Sequence, residues 1–183
     1  MATTKTFNKF IPTTVFDIDI FKLDAEGKYT DKADATIDSL KIANFTQEGP
    51  TKTAIGGKDK SFILRYGKET RLEMEDAIMS IAALEHFMGV DTSIDGTIEI
   101  TNKFPDPIRL EGKTFFIDEK GEKIEVTFTV PRFLPDGLLN ITMEAEGDFA
   151  VFELSGEVLE DDCGKLYTIT LDKYTCKKEE AAA

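Results

Sequence analysis

Strict alternation between apolar and polar side chains runs through residues 123–130, which read KIEVTFTV. Ile124, Val126, Phe128 and Val130 fall on one side, and lysine, glutamate and threonine residues fall on the other. Successive side chains of a strand point to opposite faces, so this pattern predicts a strand with one buried face. A helix would instead scatter the same apolar residues around its circumference.

The same alternation recurs along most of the chain, in segments that are separated by turn sequences such as EKGEK and LPDGL. Turn signals at such short spacing favour antiparallel pairing of neighbouring strands. We therefore predict a mainly β protein, an antiparallel β-sandwich or barrel with one α-helix, as a single domain over residues 1–183. The predicted strands are TTVFDIDIFKL, ATIDSLKIANF, SFILRYG, GTIEITNKF, IRLEGKTFFIDE, EKIEVTFTV, GLLNITMEAEG, FAVFELSGEVL and KLYTITLDKY.

Three segments depart from the strand pattern. Residues 1–12 are predicted to form a loose N-terminal arm that ends at Pro12, and residues 177–183 a frayed C-terminal tail. Residues 46–60 contain three glycines, and Ile55 is their only large apolar residue. We predict a long loop there, and a loop of this length in a compact domain is usually either functional or disordered.

The passage KETRLEMEDAIMSIAALEHFMG changes from alternation to good helix formers. We predict a helix over about residues 76–88, with Gly89 as its C-terminal stop. An earlier start stays open, because Thr70 and Glu73 have the spacing of a capping box. Apolar residues cover most of the circumference of the predicted helix, which is more than packing on one sheet requires. Either the helix is buried between a sheet and a loop, or its far side contacts another subunit.

No catalytic or metal-binding set of residues is recognisable in the sequence. His86 is the only histidine, and Cys163 and Cys176 lack the spacing of a zinc-ligand pair. Free thiols are the expected state of both cysteines. The acidic residues 160–162 lack the spacing of an EF-hand, so a solvated acidic turn is expected there. We therefore expect no catalytic residue, no cofactor and no bound metal.

The charge balance excludes several classes of partner. Lysine and arginine number 22 against 35 aspartates and glutamates, which gives a formal net charge of −13. Such a chain is not expected to bind nucleic acid in general, because that requires basic residues that displace counterions from phosphates. An anionic membrane surface is disfavoured for the same reason. The N-terminus also lacks the apolar core of a signal peptide, so we expect a protein made in a cytoplasm without a membrane partner.

The order of strand, short YGKET turn, RLEMEDAI, helix and further strands resembles the tail tube (major tail) proteins of tailed bacteriophages and related tail-like particles. The resemblance is strongest over residues 61–89. It implies a β-sandwich that forms homohexameric rings, stacked into a hollow tube through which DNA leaves the capsid without being bound specifically. An inner sheet of each subunit would close into a shared β-barrel. Such a protein would be part of a virion tail, would contact other tail proteins and would be assembled in the host cytoplasm.

The resemblance also suggests roles for individual residues. Carboxylates on polar strand faces are candidates for a lumen wall that repels DNA, namely Asp17, Asp19, Glu144 and Glu146. The predicted long loop supplies candidates for a contact between rings, namely Gly49, Thr51, Lys52, Gly56, Gly57 and Lys58. The predicted helix supplies candidates for a contact between subunits, namely Ile78, Ile81, Leu84 and Phe87.

Two other interpretations stay open at this point. A non-catalytic β-sandwich used for binding or adhesion has the same strand pattern, although the chain has no tryptophan for an aromatic sugar-binding platform. A baseplate or tail-end protein of the same fold is the second alternative. An enzyme ranks below both, because no set of residues supports one.

Overall fold

Antiparallel strands make up most of the computed structural model, which describes residues 10–24, 26, 28–38, 40–49, 51–56, 60–65, 68–76, 80–92, 97–99, 103–138, 140–142 and 151–171. These residues contain one helix, α1 (Ile81–Met88). The strands are β1 (Phe10–Phe21), β2 (Ala35–Ile37), β3 (Leu40–Glu48), β4 (Thr51–Gly56), β5 (Lys60–Arg65), β6 (Glu69–Asp76), β7 (Asp91–Thr92), β8 (Ile98–Glu99), β9 (Ile108–Asp118), β10 (Lys123–Pro135), β11 (Asn140–Thr142), β12 (Val151–Val158) and β13 (Thr168–Leu171). The predicted mainly β fold with a single helix is confirmed.

Nine strands form one sheet in the order β2-β1-β9-β10-β12-β6-β3, with β11 paired to β12 and β13 paired to β10. Two small sheets, β4–β5 and β7–β8, are separate from it. The central strand β10 pairs with β9 along most of its length and passes to β12 at Phe133. A register shift between Val130 and Phe133 marks a β-bulge. Bulges bend a strand, and this one lies where β10 leaves one half of the sheet for the other.

The bent sheet folds over on itself and encloses the core. The rings of Phe45 on β3 and Phe128 on β10 lie 5.6 Å apart, edge to face, although β6 and β12 separate the two strands in the sheet order. The inward residues predicted on β10 are all buried, which confirms the alternation. The largest core cluster consists of Ile18, Ile20, Ala35, Ile37, Leu72, Met74, Ala83, Phe87, Ile108, Leu110, Phe128, Val130, Phe133, Leu154 and Val158.

Three turns share the same construction, with the sequence Asp-x-x-Gly-x. One carboxylate oxygen of Asp24, Asp118 and Asp161 accepts hydrogen bonds from the backbone N–H groups two and four residues later, at 2.8–2.9 Å. Gly121 and Gly164 take the left-handed conformation at the fourth position, with φ of 82° and 75°. The side chain therefore satisfies backbone donors that a short turn leaves open. The acidic turn predicted at residues 160–162 is of this kind.

The helix begins later than predicted. Strand β6 continues to Asp76, and α1 follows Ser80, whose hydroxyl accepts a hydrogen bond from Ala83 N at 3.1 Å. The predicted start at residue 76 is wrong, and so is the alternative capping box, because Thr70 and Glu73 lie within β6. This strand pairs with β3 on one side and β12 on the other, and that pairing prevails over the local helix preference.

The helix ends where the sequence predicts. Gly89 has a left-handed φ of 63°, and its N–H donates to Glu85 O at 2.9 Å. A Cβ atom on Gly89 would lie 3.1 Å from the backbone of Pro105, so the glycine also allows the following loop to pack closely. The described residues include no helix that is both long and apolar enough to span a membrane.

The predicted loop at residues 46–60 is wrong for most of its length. Strand β3 extends to Glu48, and β4 pairs in register with β5, from Thr51 opposite Arg65 to Gly56 opposite Lys60. The facing backbone groups of β4 and β5 pair with each other, and the lack of large apolar residues in 46–60 gives no sign of this pairing in the sequence. The predicted N-terminal arm is likewise too long, because β1 begins at residue 10. Residues 1–9 and 177–183 lie outside the described residues.

Candidate functional site

The predicted lumen residues on β1 lie in a surface of mixed charge. Asp17 and Asp19 are half-buried on the outer face of β1, opposite Lys113 and Glu111 of β9. Lys113 Nζ lies 3.9 Å from Asp19 Oδ2, and the Thr36 hydroxyl donates to Asp19 Oδ1 at 2.7 Å. The charge of Asp19 is therefore partly balanced. The other two predicted residues, at positions 144 and 146, lie outside the described residues.

A more acidic surface covers the outer face of β3, β6 and β12, which we call the acidic face. Among the described side chains, this face carries one arginine, Arg71, and it is paired with Asp136. The Ser155 hydroxyl donates to the same carboxylate at 2.6 Å. The glutamates that the strand registers bring to this face are Glu48, Glu69, Glu73, Glu75, Glu153 and Glu157.

Two of these glutamates are direct cross-strand neighbours. Glu75 of β6 is paired with Glu153 of β12, and both line a groove of about 390 Å³ together with Glu73. Like charges placed opposite each other on a sheet lower its stability. This surface is not recognisable from the sequence. The alternation in RLEMED shows that Glu73 and Glu75 share one face, but nothing local shows that β12 lies beside them.

The predicted helix contacts divide into three groups. Ile81 is 57% exposed and Leu84 is half-buried, so both remain candidates for a contact with another subunit. Phe87 is 2% exposed, and its ring lies 5.9 Å from that of Phe133 in the chain's own core. Its predicted role is therefore corrected, because α1 turns Phe87 toward the sheet. Position 78 lies outside the described residues.

Three of the six residues predicted to form contacts between rings lie on β4. Thr51, Lys52 and Gly56 belong to β4, and positions 57 and 58 lie outside the described residues. Gly49 is exposed at the start of the hairpin, and a Cβ atom there would meet nothing within 4 Å. The hairpin leaves the main sheet between β3 and β6, at one end of the acidic face.

Strand β3 forms an open edge of the main sheet. It is the last strand in the sheet order and pairs only with β6 among the described strands. Its side chains at residues 44–48, and Gly49 just after it, are all exposed. An edge of this length presents unpaired N–H and C=O groups, so it is suited to pairing with another chain.

Exposed apolar side chains lie beside this edge and beside the helix. Phe45 of β3 packs on Tyr167 with 5.6 Å between ring centroids, and both rings are partly exposed. Ile169 of β13 is 50% exposed. Near the end of α1, Phe104 and Leu138 are the most exposed large apolar residues among those described. Apolar surface of this kind is typical of contacts between proteins.

Titratable groups give little sign of chemistry. His86 is half-buried beside a cleft of about 460 Å³, and burial lowers its pKa. Cys163 is exposed with a free thiol, whereas residue 176 lies outside the described residues. Within the described part of the chain, no group of three or more histidine, cysteine, aspartate or glutamate residues is arranged to hold a metal ion.

Three solved structures are similar to the chain at low sequence identity. A chain of the cryo-EM structure of the anti-feeding prophage cap (AFP tube terminating cap) is 12% identical, over 84% of this chain and 87% of that chain, with a TM-score of 0.45. The PVC sheath/tube terminator of an extracellular contractile injection system in the extended state is 12% identical, over 87% of this chain and 96% of that chain, with a TM-score of 0.45. A chain of the virion of a native gene transfer agent particle is 13% identical, over 84% of this chain and 95% of that chain, with a TM-score of 0.43.

A comparison with curated proteins gives no match. A family model described as the YomU/Tube protein family matches residues 91–169, which is fewer than half of the 183 residues. The match begins after the passage at residues 61–89 on which the resemblance to tail tube proteins was strongest, so the two observations cover different parts of the chain. The predicted resemblance to tail tube proteins is confirmed, and it is residues 91–169 that resemble the YomU/Tube protein family.

Proposed function

We propose that this chain is a non-enzymatic structural subunit of a phage-tail-like tube. Copies of it form hexameric rings, and the rings stack around a lumen that serves as a conduit for DNA. The match of residues 91–169 to the YomU/Tube protein family carries this proposal. The proposed place of the protein is the tail of a virion that is assembled in a host cytoplasm, in contact with other tail proteins.

The open edge of the main sheet supports assembly side by side. Strand β3 has nine residues, and its outer edge lacks a partner among the described strands. Pairing that edge with a strand of a neighbouring copy would satisfy its backbone groups. Closing a ring in this way would leave β3 without a free edge, and free strand edges are a cause of uncontrolled aggregation.

The acidic face supports a lumen through which DNA passes. Basic residues hold nucleic acid by releasing counterions from phosphates, and a wall of glutamates cannot do so. Glu73, Glu75 and Glu153 lie together on the strands next to the open edge. A barrel closed through β3 would continue this face from copy to copy. The acidic face is therefore a better candidate for the lumen wall than the mixed surface around Asp17 and Asp19.

The β4–β5 hairpin is the proposed contact between rings. It forms a sheet of its own and joins the ends of β3 and β6, which are adjacent in the main sheet. An extension from the end of the proposed barrel strands would point along the tube axis. Ile81 and Leu84 on α1 are the proposed contacts with a neighbouring subunit.

Assembly of the purified protein tests the proposal. Size-exclusion chromatography with light scattering, followed by negative-stain microscopy of concentrated protein, should show rings with six-fold symmetry and stacks of them. A protein that stays monomeric at millimolar concentration would contradict the proposal.

A further inference from the structure

The bulge in β10 brings two arginines together on the outer face of the sheet. The register between β9 and β10 shifts from Val130 to Phe133, so that Pro131 and Arg132 both stand opposite Arg109. Two residues against one is the defining feature of a β-bulge, and bulges change the direction of the side chains they carry.

Arg109 is held in place by aromatic rings. Its guanidinium carbon lies 4.1 Å from the ring centre of Phe21 and 5.8 Å from that of Tyr29. Its Nη2 lies 3.3 Å from Oε1 of Glu111, and its Nε is buried and makes no hydrogen bond. Stacking on aromatic rings fixes the plane of a guanidinium group, so Arg109 is preorganised.

Arg132 is exposed, and no ion pair joins it to another described residue. Burial raises the pKa of Tyr29, whereas the charges of Arg132 and Arg109 act against that rise. Asp162 also acts on Tyr29 but forms no ion pair with either arginine.

Among the residues that the structure describes, Arg132 has no ion-pair partner, so its positive charge is not balanced. Like charges opposite each other on a sheet are destabilising, and Glu111 forms an ion pair with Arg109 but not with Arg132. A second carboxylate would remove the repulsion, and a guanidinium group offers paired donors that match a carboxylate. The chain has 35 acidic residues against 22 basic ones, so a facing copy of it presents mainly carboxylates.

We propose that Arg132, together with Arg109, is a contact site for a carboxylate on a second copy of this chain. This inference rests on the proposed function, because it assigns one contact within the tube. The site lies at the β10 bulge, on the sheet half that does not carry the acidic face. It therefore supplies an ionic contact that is separate from the strand pairing at β3.

The test reverses the charge of Arg132 in the full-length protein. Arg132→Glu should raise the protein concentration needed for assembly by about ten-fold or more. The concentration that Arg132→Lys needs should lie between those of Arg132→Glu and the wild type. Lys120→Glu in the β9–β10 turn, at the other end of β10, changes the net charge equally and should assemble like the wild type. The isolated Arg132→Ala subunit should unfold at the wild-type temperature or above, because a repulsion is removed.

The remaining outcomes contradict the inference. If the wild type and Arg132→Glu both assembled normally, the inference would be wrong and the proposed function would stand. If Lys120→Glu weakened assembly as much as Arg132→Glu, the loss of assembly would be an effect of net charge alone. A lowered unfolding temperature of Arg132→Ala would show that Arg132 stabilises the subunit itself. If the wild type bound duplex DNA and Arg132→Glu assembled normally but did not bind it, the site would be one for phosphate. A wild type that never assembles would remove both proposals.

Discussion

The ring of Phe128 on β10 lies directly over Gly112 of β9, where a Cβ atom would come within 2.0 Å of the ring. Beyond the bulge, Phe133 covers Gly156 of β12 in the same way, with 2.4 Å to a Cβ atom there. Each half of the folded sheet thus has a phenylalanine of β10 packed on a glycine of the neighbouring strand. These two contacts fill the core on either side of the bend.

Gly112→Ala should therefore destabilise the subunit. The methyl group has no space unless the Phe128 ring moves, and overpacking of this kind lowers the free energy of unfolding by about 1–3 kcal/mol. Denaturant unfolding of the isolated subunit measures the change. Gly49→Ala is the control, because a Cβ atom there meets nothing within 4 Å, and its unfolding free energy should stay near that of the wild type. Equal effects of the two substitutions would contradict the packing argument.

Two residues of α1 should separate folding from assembly. Phe87→Ala removes a ring from the core and should lower the free energy of unfolding by about 3–5 kcal/mol. Ile81→Ser changes an exposed side chain, so it should leave unfolding nearly unchanged and weaken assembly. Denaturant unfolding measures the stability of each variant, and sedimentation measures its assembly. Normal assembly of the Ile81 variant would remove this residue from the subunit contact.

The stability of the subunit should fall as His86 becomes protonated in the unfolded chain. Burial, aided by Lys22 and opposed by Asp34 and Glu85, lowers the pKa of His86 below its ordinary value of 6.5. Between 6.5 and the lowered pKa, the unfolded chain binds a proton that the folded chain does not, so stability decreases as the pH falls through this window. Unfolding at about pH 7.5 and about pH 5.5 should show a larger loss for the wild type than for His86→Gln. The same loss in both proteins would contradict the assignment to His86.

Removing the β4–β5 hairpin should uncouple ring stacking from folding. Glu48 and Glu69 are cross-strand partners, so replacing residues 50–67 by an Asn-Gly turn leaves β3 and β6 paired. We expect a folded subunit that forms single rings without stacks. Circular dichroism checks the fold, and negative-stain microscopy checks the stacks. Tubes of normal length would show that the hairpin is not the contact between rings.

Reversing the acidic face should make the tube retain DNA. Glu73→Lys, Glu75→Lys and Glu153→Lys combined would replace repulsion of phosphates by attraction, which weakens as salt is added. Gel-shift and sedimentation assays with duplex DNA measure retention by assembled tubes. Glu125→Lys on the outer face of β10 is the control for added positive charge and should not cause retention. If the triple variant assembles but does not bind DNA, the acidic face does not line the lumen.

Local sequence patterns correctly predicted those features of the fold that depend on residues close together in the chain. The alternation from Ile124 to Val130 identified the buried face of β10, and Gly89 identified the end of α1. The boundary between β6 and α1 was misplaced, because Asp76 is held in a strand by β3 and β12, which lie far away in the chain. The strand predicted from EKIEVTFTV ends at Val130, whereas β10 continues through the bulge to Pro135.

The candidate site depended even more on distant pairing. Glu73 and Glu75 were recognisable as one polar face, but their approach to Glu153 follows from the antiparallel register of β6 and β12. The Arg109–Arg132 pair follows from the bulge. Phe87 was assigned to a subunit contact because apolar residues surround the predicted helix, and only the position of α1 on the sheet decides which of them are buried.

Cryo-electron microscopy of tubes assembled from the wild-type chain tests the central claim most directly. We predict stacked six-fold rings in which β3 of each copy pairs with a strand of its neighbour, with Glu73, Glu75 and Glu153 turned toward the lumen. A lumen lined mainly by lysine and arginine would contradict the proposed DNA conduit, even if the rings had six-fold symmetry.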